Sequence, residues 1–343
     1  MANIFRDPIE RRPRALWRLL LHGIIFFVLL AGLQVASGVL IGALIDPPAG
    51  LDLAAAQNFV LNHPLLRIAV AVSQVIAILI SFLIAGRWLD RRPLPAFGLH
   101  LNARWWRDLG FGLFLGALLM AFVFVVELGA GWIDIIGYAQ PGAGGHGFWP
   151  GILSAFVLFL SVGIYEELLF RGYHLRNIAE GFEGRIAILR PVKISPRVAL
   201  MLAFLLSSAV FGVAHAANPN ATAISTLNIT IAGLLLGLGF VLTGELAIPI
   251  GLHITWNFFQ GNVFGFPVSG MQFGASFIQI VQSGPELVTG GAFGPEAGLL
   301  GLAAMLLGGL LTVWWVRLHY GAVRLHEELA VYHPQHTAEN PAK

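Results

Sequence analysis

The chain has 343 residues, 57% of them hydrophobic and only 11% charged, with a mean hydropathy of +0.78. Soluble domains carry about a quarter charged residues, so a soluble globule is excluded and an all-α polytopic membrane protein is expected. The net charge of +2 reads as a topology signal, which leaves membrane lipid and no nucleic acid as the expected surroundings.

Residues 1–18 are basic, with Arg6, Arg11, Arg12, Arg14 and Arg18, and lead into an apolar run over 19–45. The run is too long for a signal-peptide core and lacks a small-x-small cleavage site, so it reads as an uncleaved spanning helix ended by Asp46-Pro47-Pro48. A loop without lysine or arginine leads to a second span, 65–85, which returns to Arg87, Arg91, Arg92, Arg104 and Arg107. The third span covers 109–128, so that 19–145 holds three spans, and its loop, 129–147, again lacks basic residues.

The fourth span starts near Ile152 and runs into Arg176, Arg185, Arg190, Lys193 and Arg197. Spans five to seven cover 198–215, 224–242 and 247–266, and 149–266 reads as one core. The Gly-rich segment 267–298 is expected outside, as a folded loop or a short re-entrant or interfacial helix. An eighth span over 299–317 precedes a polar tail, 318–343, read as a short helix fraying around Pro334 and Pro341.

In this eight-span arrangement every lysine and arginine except Arg67 and Arg171 falls on one side. The positive-inside rule makes that side the cytoplasm and puts both termini there, in a multi-pass protein of the plasma membrane. Trp17, Trp88, Trp105, Trp106, Trp314 and Trp315 gather at the inner interface, and Trp132 and Trp149 at the outer one. The sequence carries no signal for an oligomeric state.

Polar residues within the spans need a reason. A charge at bilayer depth costs about 2.5–3.5 kcal/mol, whereas a helical ion pair one turn apart returns about 0.3–0.5 kcal/mol. The fourth span carries Glu166, Glu167 and Arg171; the fifth, Phe211 and His215; the seventh, His253 and Asn257. Helical spacing pairs Glu167 with Arg171 and leaves Glu166 free to face a water. A glutamate, two histidines and an asparagine from three helices can activate that water and hold an oxyanion, with Glu166 as base, His215 orienting the water and His253 and Asn257 as donors. The rival set is one zinc ion held by Glu166, His215 and His253, cysteine being absent. It has no His-Glu-x-x-His signature and uses up the base, so the metal-free reading without a cofactor is preferred.

Glu166-Glu167-Leu168-Leu169-Phe170-Arg171, Phe211-Gly212-Val213-Ala214-His215 and His253-Ile254-Thr255-Trp256-Asn257 resemble, in order, the three motifs of the CAAX-protease and bacteriocin-processing (CPBP) intramembrane endopeptidases. The resemblance implies an eight-helix protease in which Glu166 and His215 activate water and His253 and Asn257 stabilise the oxyanion. It leaves glutamate-type and metal-dependent mechanisms both open. The expected partner is a peptide or protein with an apolar or lipidated segment. The alternative is a non-hydrolytic immunity or scaffold factor using the same polar core.

One expectation concerns depth. Counted from the basic loop at 1.5 Å per residue, Glu166 lies about 15 Å deep, His253 about 10 Å and His215 about 27 Å, so helix five must start low or tilt strongly. Other polar residues receive ordinary readings. Glu127, His22 and His174 are expected to reach interfacial water. Gln34, Gln74, Ser207, Ser208, Asn228 and Gln260 are expected to bond between helices, and Gly233, Gly237 and Gly239 to permit close packing.

Overall fold

The computed structural model describes residues 4–7, 10–45, 50–142, 145–182, 184–185 and 193–333. The Asp46-Pro47-Pro48 break, Arg190, Pro334 and Pro341 lie outside these residues.

The helices are α1 (Ala15–Gly42), α2 (Leu53–Asn62), α3 (Pro64–Ile84), α4 (Ala103–Gly129), α5 (Phe148–Glu167), α6 (Arg176–Phe182), α7 (Pro196–Ala214), α8 (Ala223–Thr243), α9 (Ala247–Phe258), α10 (Glu286–Thr289) and α11 (Leu299–Tyr320). Seven continuous helices among the described residues are long and apolar enough to cross a membrane. The remaining expected span is α9, prolonged by the π-helical turn Phe259–Val263, and it is shorter than the others. Local chemistry sets the helix ends. Asn102 accepts a hydrogen bond from the backbone N–H of Trp105, Thr222 and Ser225 form a capping box, and Pro64 and Pro196 occupy first turns where no N–H is missed.

Small residues set the packing. A Cβ on Gly116 would lie 2.4 Å from the Leu252 carbonyl oxygen, and one on Gly251 would lie 2.5 Å from that of Leu109, so α4 and α9 touch backbone to backbone. On α8, Gly233 and Gly237 lie against Ser208 and Phe204 of α7, while Gly239 meets Ile248. Three of the polar residues bond between elements as expected: Gln74 Oε1 accepts from Ser161 Oγ, Ser207 Oγ donates to the Phe170 carbonyl and Asn228 Nδ2 to the Gly298 carbonyl. Ser208 Oγ instead donates within α7 to the Phe204 carbonyl, and Gln260 Nε2 to the Pro267 carbonyl and Glu296.

Three expectations meet the structure here. First, of the alternatives for the segment after α9 the structure has a folded loop rather than a re-entrant helix: Ser276–Gln282 pairs antiparallel with Ile133–Gln140, followed by short helical turns. Second, over its described part the tail is not one helix but a folded-back segment with a single short helical turn, Glu327–Ala330; the fraying expected around Pro334 and Pro341 lies outside the described residues. Gly321, at φ 77°, ends α11, and the chain folds back so that the His326 N–H donates to the Val241 carbonyl and Tyr332 stacks under Arg12. Third, His22 and Glu127 do not reach water. Both are fully buried, His22 stacked on Tyr173 at 3.7 Å and Glu127 accepting from Gln282 Nε2 at 2.8 Å.

Candidate active site

Helix α5 continues through the π-helical turn Leu168–Leu175 into α6, making one rod of 35 residues. This resolves the depth conflict. Arg176 does not mark a membrane boundary, because the helix runs on to Phe182 and Arg176 is paired with Glu180 inside it. Counted from Phe182, Glu166 stands about 24 Å up the rod, near the level estimated for His215. Ser207 of α7 bonds to the Phe170 carbonyl, which fixes that alignment. Helix α9 starts high for the same reason: Leu246 packs at the level of Gly172, so the seven residues from Leu246 to His253 rise about as far as the six from Gly172 to Glu166.

Glu166, His215, His253 and Asn257 therefore line one cavity of about 470 Å³. Glu166 Oε1 accepts from the Tyr165 hydroxyl at 2.8 Å, while its Oε2 has no hydrogen-bond partner among the described residues and lies 3.9 Å from His253 Nε2. His215 caps the C-terminus of α7, with Nδ1 2.8 Å from the Phe211 carbonyl oxygen. A carbonyl accepts only, so Nδ1 carries the proton and Nε2 of the neutral ring is an acceptor. Asn257, one turn beyond His253, adds an amide to the same wall.

Glu167 and Arg171 stand behind the cavity, fully buried. Arg171 Nη1 donates to Glu167 Oε1 at 2.9 Å, the pairing their spacing predicts. The same oxygen lies 2.7 Å from His253 Nδ1, a contact the sequence did not reveal. Because that oxygen already accepts from Arg171, His253 Nδ1 is the donor to it, and Nε2 offers a lone pair unless the ring takes up a second proton. Arg171 also donates to the Gly233 carbonyl and lies 4.4 Å above the Phe211 ring, whose centre is 6.2 Å from that of His253. Phe211 is thus the common wall of both histidines and the arginine.

Two further residues at the cavity received no role from the sequence. Tyr165 is adjacent to Glu166 in the chain, but a helix gives neighbours no common face, so only its bond identifies it. Glu296 reaches the cavity lining from the segment before α11, a position no helical spacing predicts.

The zinc alternative can be tested against this geometry. Neutral Nε2 atoms on both histidines and a free Glu166 oxygen suit a metal chemically, with Glu167 and the Phe211 carbonyl as outer partners. Among the described residues, however, no three His, Cys, Asp or Glu side chains gather closely enough to hold one ion. The arrangement as it stands does not fit zinc, and no chemical step can be derived through it.

Residues 148–259, which span α5 to α9, match the family model described as type II CAAX prenyl endopeptidase, Rce1-like. Comparison with curated proteins and with solved structures gives no match.

Proposed function

We propose, on the premise that this chain belongs through residues 148–259 to the Rce1-like type II CAAX prenyl endopeptidases and hence to the CPBP membrane proteases, that a water activated by Glu166 cleaves its substrate. Glu166 Oε2 and His215 Nε2 are two acceptors on one cavity, and a water has two protons to give them. Held so, its lone pair is left for the carbonyl carbon. The water's proton passes to Glu166 as the carbon–oxygen bond forms. It then passes to the departing nitrogen as the carbon–nitrogen bond breaks, so that one water is consumed.

Asn257 Nδ2–H is the donor for the oxyanion. His253 joins it through Nε2–H as the doubly protonated ring, its Nδ1–H remaining on Glu167. Tyr165 keeps one Glu166 oxygen occupied and so directs the other toward the cavity. The substrate class follows from the walls, where Phe26, Phe27, Leu30, Leu158 and Leu236 suit an apolar or lipidated peptide segment.

The observation that carries this reading is the unpartnered Glu166 oxygen in a cavity shared with His215, His253 and Asn257. Its test is cleavage of a prenylated C-terminal peptide by purified protein. Glu166→Gln is expected to lower the rate by about 10²–10⁴-fold at unchanged thermal stability. Unchanged cleavage would remove Glu166 from the mechanism. No cleavage by the unmodified chain of any membrane peptide offered would favour a binding factor. Loss on chelation, reversed by zinc, would move the mechanism to the metal-dependent class.

A further inference from the structure

The arginine-rich end of the bundle holds a second cavity, of about 740 Å³, between the N-terminal segment and the connection from α3 to α4. Among the described residues Arg11, Arg87, Arg91 and Arg92 line it, against a single carboxylate, Glu10. That carboxylate is already bound by Arg12 Nε at 2.7 Å. Phe82, Leu83 and Trp88 supply an apolar wall where α3 meets its π-helical extension, Ala85–Asp90, and Trp88 and Leu83 are exposed.

Arg92 is the central observation. Its side chain is 6% exposed, and Nη2 is bound by Glu180, but Nε and Nη1 have no hydrogen-bond partner among the described residues. Glu180 is shared with Arg12, Arg18 and Arg176, so it offsets only part of the Arg92 charge. A buried guanidinium with free donors requires an acceptor from elsewhere.

The backbone gives a second, independent sign. Arg11 and Arg91, on opposite sides of the cleft, adopt left-handed conformations with φ 54° and 53°, which are unfavourable for residues with a Cβ. At Arg91 this turn ends the π-helical segment and folds Arg92 back, so that its N–H donates to the Gly86 carbonyl at 2.8 Å. Arg87, Arg91 and Arg92 are thereby brought around one hollow.

The forked donors of arginine match phosphate oxygens, and Trp at the end of a membrane span belongs at headgroup level. We propose that this cleft binds the phosphate headgroup of an anionic phospholipid, with the acyl chains lying along Leu83 and Trp88. Soluble phosphate shares the headgroup chemistry but gains nothing from that apolar wall.

The test uses the full chain, purified in detergent, with lipid adducts counted by native mass spectrometry. Phosphatidylglycerol, phosphatidylcholine and inorganic phosphate are each titrated. Phosphatidylglycerol is expected to bind at least tenfold more tightly than the other two. The double variant Arg87→Gln/Arg91→Gln, at exposed positions, is expected to weaken that binding roughly tenfold or more. Arg11→Gln, on the opposite wall, should weaken it independently. Arg104→Gln/Arg317→Gln, exposed on the same end but outside the cleft, should leave it unchanged. Equal binding of phosphatidylcholine, equally effective competition by inorganic phosphate, or an equal loss in the control variant would each overturn the proposal.

Discussion

Glu167 touches more of the site's machinery than Glu166 does, although it does not face the cavity. One of its oxygens takes Arg171 and His253 together, at 2.9 and 2.7 Å, with no exposure to solvent. Removing one member of a buried pair leaves the other charge without compensation, which costs about 3–5 kcal/mol. Glu167→Gln is therefore expected to lower the melting temperature in detergent markedly and to abolish cleavage, whereas Glu166→Gln should affect cleavage alone. Equal stability of the two variants would show that Glu167 is not holding Arg171 and His253 in place. Residue by residue, the sequence was legible where partners are one turn apart, as for Glu167 with Arg171. It was not legible where they are distant in the chain: His253 is 86 positions from Glu167, and Glu127 is 155 from Gln282. Hydropathy gives the depth of a side chain but not its neighbours, which is why His22 and Glu127 were assigned to water and lie in the core.

At the scale of elements, the long spans and the three motifs were readable because both rest on local spacing. Arg176 was misleading as a boundary mark, since a basic residue inside a helix looks the same in sequence as one at its end until Glu180 is seen beside it. The two-stranded ribbon was missed because Ile133–Gln140 and Ser276–Gln282 are short and find each other only across the intervening helices. Beyond the ribbon, Glu296 closes the loop over 267–298 by accepting from the Ser269 N–H and from Gln260 Nε2. Burial pushes its carboxyl up to about 7 against the opposing effect of those bonds. A carboxyl raised in the folded state favours the protonated form there. Its contribution is fully present below the ordinary value near 4.5 and is lost as pH rises toward about 7. The loss across that window is on the order of 3 kcal/mol. Hydrogen exchange over residues 267–298 is accordingly expected to be slower at pH 5 than at pH 8, with Glu296→Gln flattening the difference. Exchange that slows as pH rises, after correction for its intrinsic pH dependence, would contradict this.

The molecule as a whole is joined at its arginine-rich end by charge more than by apolar packing. Helix α1 fully buries only Arg18, His22 and Phe26 along its 28 residues, and Leu19, Leu29, Leu30 and Leu33 pack half-buried against the core, so this shallow apolar stripe does not by itself tie down its N-terminal end. Arg18 instead bonds to Asp90 and Glu180, and Glu180 also receives Arg12, Arg92 and Arg176. One carboxylate thus ties the N-terminal segment, α1, the connection after α3 and α6 into a single unit. Read in sequence, these arginines are topology signals, and that reading accounts for their side of the bundle but not for their burial. The acid that gathers them is up to 168 residues away from them in the chain, and no periodicity connects the two. Glu180→Gln removes the shared acceptor while keeping its shape, so several buried guanidinium groups lose compensation at once. The expected cost is at least the roughly 3–5 kcal/mol of one broken buried pair, together with early release of α1, seen as protease cleavage near residue 45 before global unfolding. Arg107→Gln, whose partner Asp108 has its own bonds to Trp315 and Tyr320, should cost far less because Arg107 is half in solvent. A Glu180→Gln protein that melts with the unmodified chain would mean that α1 is held by something other than this cluster.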